Sequence, residues 1–180
     1  MRVIDYGTAM AGARFTEDRT YRYQLWRMWD PSKTTLCGLF MNPSKADQSD
    51  LDPTTARFSN RAHRWGFGGW RVVNIDALVS TDSSVIDTHP APHEHADGVN
   101  LVNIVEAAVI CHKRVILGFG ASLSVRRKAV VERVIAAMDA HGIDLYCIKE
   151  SKDGWPMHPL YLPYDLKPTP WDRKKALPKL

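Results

Sequence analysis

The chain has 180 residues, 44% hydrophobic and 24% charged, an ordinary globular composition that excludes a disordered protein and suffices for one buried core. Lys and Arg total 24 against 20 Asp and Glu, and the net charge of +4 permits a nucleic-acid partner without requiring one. No stretch approaches the roughly 18 consecutive apolar residues of a membrane span. The opening Met1-Arg2-Val3-Ile4-Asp5-Tyr6 lacks the apolar core of a secretory signal. Cys37, Cys111 and Cys147 lie far apart within apolar runs and read as buried thiols. One cytoplasmic domain is expected over residues 1–180, monomeric and without membrane contact.

Residues 1–33 are aromatic and basic. Tyr21, Tyr23 and Leu25 alternate with Arg22 and Gln24, the pattern of a half-exposed edge strand. Asp30-Pro31-Ser32 then turns the chain. Thr35–Met41 is short and continuously apolar, as a strand covered on both faces is. Asp52-Pro53 starts a helix, with Asp52 as N-cap and Pro53 at the first helical position. That helix carries Phe58, Ala62 and Trp65 on one face and stops at Gly66. Arg71–Leu78 is a second buried strand, and a polar loop from about Ser80 to Gly98 follows. A helix is expected from about Asn100 to His112, a third strand over Val115–Phe119, a long helix capped by Ser122 or Ser124, and a fourth strand over Ile143–Ile148. The tail, residues 164–180, is rich in Pro and Lys and reads as an irregular surface extension. This alternation predicts a three-layer α/β domain, a mostly parallel sheet of about four strands with helices on both faces.

In such a sheet ligands bind beyond the carboxyl ends of the strands. Here those ends are Asn42-Pro43-Ser44, Asn74-Ile75-Asp76, Gly118-Phe119-Gly120, and Lys149 leading to the loop Gly154-Trp155-Pro156-Met157-His158-Pro159. Proline holds the residue before it extended, so Asn42 and His158 are presented in fixed positions. Competing readings are weaker. Gly118-x-Gly120 lacks the third glycine of a dinucleotide loop. Asp47, Asp50 and Asp52 read as a solvated loop and a cap before a metal cluster. His89, His93, His95 and Asp97 sit among prolines in a surface loop. Ser44 lacks the glycine-flanked elbow of a serine hydrolase nucleophile. No metal or cofactor is expected.

Tyr21-Arg22-Tyr23, Met41-Asn42-Pro43-Ser44-Lys45-Ala46-Asp47, Asp52-Pro53-Thr54, Val73-Asn74, Gly118-Phe119-Gly120 and Gly154-x-Pro156-x-His158-Pro159-Leu160-Tyr161-Leu162 resemble a bacterial and phage family known as a domain of unknown function. More distantly, the order of the Asn-Pro loop, helical Phe, strand-end Asn, strand-end Gly and His-Pro loop resembles the uracil-DNA glycosylase superfamily. That resemblance implies a glycosylase-like fold and DNA or a nucleotide as partner. It implies cleavage of the N-glycosidic bond of a base, with Asn42 and His158 catalytic. Ser44, Phe58, Asn74, Gly118 and Gly120 would contact the substrate, and Lys45, Arg57, Arg61 and Arg64 would meet phosphates. Ser44 in place of a glycine, and Pro-Leu-Tyr after His158, favour a modified or damaged base over uracil. The alternatives are a non-catalytic nucleic-acid or nucleotide binder, and a transferase or hydrolase of base modification.

Overall fold

A computed structural model describes residues 2–44, 46–47, 49–82, 84–89 and 98–177. Eight strands lie in one sheet among the described residues: β1 Val3–Gly7, β2 Ala11–Thr16, β3 Arg22–Met28, β4 Thr35–Phe40, β5 Gly69–Asn74, β6 Arg114–Leu117, β7 Asp144–Cys147 and β8 Thr169–Pro170. The helices are α1 Pro53–Arg64, α2 Ser84–Thr88, α3 Val99–Ile110 and α4 Val125–Ala140. The strand order is β1-β2-β3-β5-β4-β6-β7-β8.

The four strands expected from the apolar runs are neighbours, and β5, β4, β6 and β7 run parallel. The expectation of a mostly parallel, four-stranded, glycosylase-like sheet is nevertheless overturned. β1, β2 and β3 continue the sheet beyond β5 and β8 continues it beyond β7, every one of these pairings antiparallel, so four of the seven pairings are antiparallel. The reason lies in the aromatic N-terminal segment. Residues 1–33 hold a β-meander, and β3 is an interior strand with Tyr23, Gln24 and Leu25 all buried. The polar members of the alternation, Arg22 and Gln24, are buried as well, hydrogen-bonded to the Ala46 and Asn103 carbonyls, so the polar face is covered and not solvated.

Side-chain alternation along β4 divides the core. Cys37 and Leu39 face Ile104 and Ala107 of α3 and Val131, Val134 and Ile135 of α4. Leu36 and Phe40 face Phe58 and Ala62 of α1. Fully burying a side chain such as Leu39 or Phe58 stabilises the fold by about 1.5–3 kcal/mol. Helix boundaries follow the local chemistry. Asp52 accepts a hydrogen bond from the Thr55 N–H at 2.7 Å with Pro53 behind it, and Ser124 accepts from the Arg127 N–H at 3.3 Å. The tail also departs from expectation: β8 pairs with β7, and Trp171 and Leu177 are buried in the α3–α4 side of the core.

Candidate functional site

The chain leaves β4 through α1 on one face to reach β5. It then returns through α3, on the other face, to β6 on the far side of β4, and leaves β6 for α4. The connections after β4 and β6 therefore depart to opposite faces, which opens a crevice at their carboxyl ends. A cavity of about 170 Å³ is found there, lined by Arg22, Phe40, Asn42, Ser44, Asp52, Val72, Asn74, Ser80, Thr81 and His158, among others. A second cavity of about 440 Å³ adjoins it, shares Asn42, Thr81 and His158, and extends past Gly120 and Ser122 to Tyr161. Tyr161 is 81% exposed, so this outer chamber leads to solvent.

Asn42, Asn74, His158 and Asp52 are each held in a definite donor or acceptor role in the inner cavity. The Asn42 amide nitrogen donates to the carbonyls of Ser80 (2.8 Å) and Pro43 (3.2 Å), which leaves Oδ1 as its acceptor. The Leu160 N–H donates to His158 Nδ1 at 3.4 Å. Burial pushes the His158 pKa down, against the weaker opposing effect of the Asp52 charge, so the ring is neutral at pH 7. With Nδ1 accepting, its single proton sits on Nε2 and makes that nitrogen a donor. Asn74 is 2% exposed and its Oδ1 accepts from Arg22 at 3.5 Å, leaving its amide nitrogen to donate. Asp52 accepts from Ser44 Oγ and from the Thr55 N–H and hydroxyl. Burial works to raise its pKa, but those hydrogen bonds and the Arg22 charge outweigh it and hold the carboxyl below its usual range.

Asn42, Ser44, Asn74 and His158, expected together from the strand ends, line this one cavity. The other expected residues are placed differently. Phe58 is fully buried beneath Phe40, their rings edge to face at 5.1 Å, and it does not line the cavity; Phe40 supplies the aromatic wall instead. Gly118 and Gly120 support the His158 loop. A Cβ on Gly118 would lie 2.7 Å from Pro159 Cδ, and the Gly120 N–H donates to Pro156 O at 3.0 Å from a backbone with φ of +87°. Only Gly120 reaches the outer chamber. The arginines of α1 are committed elsewhere. Arg57 and Arg61 donate to the Leu162 carbonyl at 2.6 and 2.7 Å, Arg61 also to that of Pro163, and Arg57 and Arg64 stack over Tyr164. Arg57 and Arg61 clamp the chain after His158, whereas Arg64 is exposed. Lys45 lies outside the described residues, as do His93, His95 and Asp97.

Two charged residues of the cavity, as well as Phe40, escaped the sequence reading. Arg22 reaches the cavity because β3 runs antiparallel to β5, which brings the beginning of β3 beside the end of β5. Asp52 was legible as a cap, but its second role, facing the cavity, depends on where α1 docks. A mainly apolar cavity of about 300 Å³, lined by Thr35, Leu36, Phe67, His112, Arg114 and Ile116 among others, lies at the opposite ends of the strands. Among the described residues no group of three or more His, Cys, Asp and Glu is placed to hold a metal, and no helix is long and apolar enough to cross a membrane.

The family model described as a protein of unknown function, DUF1643, matches residues 22–160. The chain belongs to this family. The matched span begins at Arg22 and contains every residue named above as lining the inner cavity. No curated protein and no solved structure matches the chain.

Proposed function

We propose that this DUF1643 chain takes a single base of DNA into the inner cavity and hydrolyses its N-glycosidic bond, with a modified or damaged base as substrate. One observation carries the reading: a cavity of about 170 Å³, below the range of drug-sized pockets, combines a flat apolar wall with oppositely assigned hydrogen-bonding groups. Phe40 and Val72 form the wall. Asn74 reads the pairing edge, and Asn42 Oδ1 holds a water beside the sugar, with the Asp52 carboxylate nearby to favour positive charge developing there. His158 Nε2–H faces the base, where it stabilises negative charge as the bond breaks. A neutral histidine can take this role because, with Nδ1 accepting from Leu160, Nε2 carries the proton it donates. The outer chamber, rimmed by Tyr161, takes the sugar and backbone of an extruded nucleotide.

The test is incubation of the full chain with DNA carrying a panel of modified bases, with mass spectrometry of the released products. Free base together with an abasic strand is the expected result, formed about 10²–10³-fold more slowly by Asn42→Ala. Tight binding of the same DNA with no product on long incubation would establish a binder instead. Transfer of a group to an intact base would establish a modification enzyme.

A further inference from the structure

Arg22 is the least expected residue in the cavity. It is 2% exposed, and burial pushes its pKa down to about 10, so it remains charged at pH 7. A buried charge without an ion-pair partner in contact is strongly disfavoured. Its guanidinium donates to the Ala46 carbonyl and the Asn74 Oδ1, its Nε has no hydrogen-bond partner, and no carboxylate among the described residues forms an ion pair with it. The charges of Asp52 and Asp47 act on Arg22 from beyond ion-pair distance, and both carboxylates are hydrogen-bonded to other groups. Asp52 caps α1, where the helix dipole and the Ser44 and Thr55 donors balance it. Asp47 accepts from the Ser49 and Asp50 N–H groups of its own loop and pairs with Arg19 at 3.6 Å. Arg27 adds a second positive charge nearby.

We infer that the ligand of the inner cavity carries an anionic group, which completes the ion pair that Arg22 lacks. The inference rests on the base-binding reading and narrows its substrate class to a base bearing a negatively charged ring substituent such as a carboxylate. Position selects a ring substituent over the nucleotide phosphate. Arg22 and Asn74 are almost fully buried in the inner cavity, whereas Asn42 and His158 stand between it and the outer chamber that opens at Tyr161. A base entering through the outer chamber presents its far edge to Arg22 and leaves its phosphates outside.

Titration calorimetry of the full chain with uracil, 5-carboxyuracil and orthophosphate tests this. At least tenfold tighter binding of 5-carboxyuracil than of uracil is expected, with the preference lost in Arg22→Met and partly kept in Arg22→Lys. Equal or weaker binding of the carboxylated base to the native chain overturns the inference whether or not the variants fold. Orthophosphate binding as tightly as 5-carboxyuracil, and in competition with it, overturns the ring-substituent assignment in favour of a phosphate. The two readings fail separately. Release of neutral bases from DNA with no preference for the carboxylated base removes this inference and keeps the glycosylase. A carboxylate preference without base release does the reverse.

Discussion

At the scale of single residues, the site depends on which atoms already have partners. His158 and Asn42 offer one free atom each, a donor and an acceptor, and under the proposed function they serve one transition state. Replacing either with alanine is expected to lower kcat by about 10²–10³-fold, the cost of removing one preorganised donor. The double variant should lose little more than either single one, measured under single-turnover conditions. His158 also links stability to pH. Its folded pKa lies below its unfolded value near 6.5, so the folded state binds fewer protons between the two. Its contribution is therefore fully present above about pH 6.5 and is lost as the pH falls through the folded pKa. Melting temperature should decline on acidification below about pH 6.5, and His158→Phe should remove that component. Asn74→Asp places a carboxylate on Arg22. Stability at pH 7 is expected to rise while affinity for 5-carboxyuracil disappears, because the new side chain occupies the role assigned to the ligand.

At the scale of elements, the His158 loop is built against its neighbours. Gly118 leaves the space that Pro159 fills, and Arg57 and Arg61 hold the carbonyls that follow. Gly118→Ala forces a Cβ into Pro159 and should cost about 1–3 kcal/mol, with activity falling as the loop lifts away from β6. Arg61 is a buried cation with two carbonyl partners, and Arg61→Met should destabilise by about 1.5–3 kcal/mol in denaturant titration. If its role is this clamp, the salt dependence of DNA affinity stays unchanged in the variant. A slope reduced by about one would return Arg61 to the phosphates.

At the scale of the whole molecule, the ends of the described chain complete the sheet and the core. Trp171 is buried against Phe119, their rings edge to face at 6.4 Å, and its indole N–H donates to Gly154 O at 2.7 Å just before the His158 loop. Trp171→Ala is expected to cost about 3–5 kcal/mol and to weaken the site as well, because the same contact steadies that loop. Fluorescence-monitored unfolding measures the first and single-turnover kinetics the second. The antiparallel strands β1 to β3 extend the molecule on the other side, and through β3 they deliver Arg22.

Local chemistry determined much of this protein. Continuous apolar runs marked the four parallel strands, Asp52-Pro53 and the pair Ser122 or Ser124 marked helix starts, and proline after Asn42 and after His158 marked two of the loops that meet at the cavity. Each signal is a preference of a residue and its immediate neighbours, so it survives in one dimension. The tertiary structure decided the rest. Whether Tyr21–Leu25 lies at an edge or inside depends on a hairpin supplied by residues 3–16, and the burial of Trp171 depends on a groove made by distant elements. Phe58 and the α1 arginines looked like ligand-binding groups because a helix period shows which face is apolar but not what that face meets. Arg22 enters the cavity for the same reason. Strand direction is set by long-range pairing, and the antiparallel course of β3 brings its first residue, not its last, to the carboxyl ends of the parallel strands.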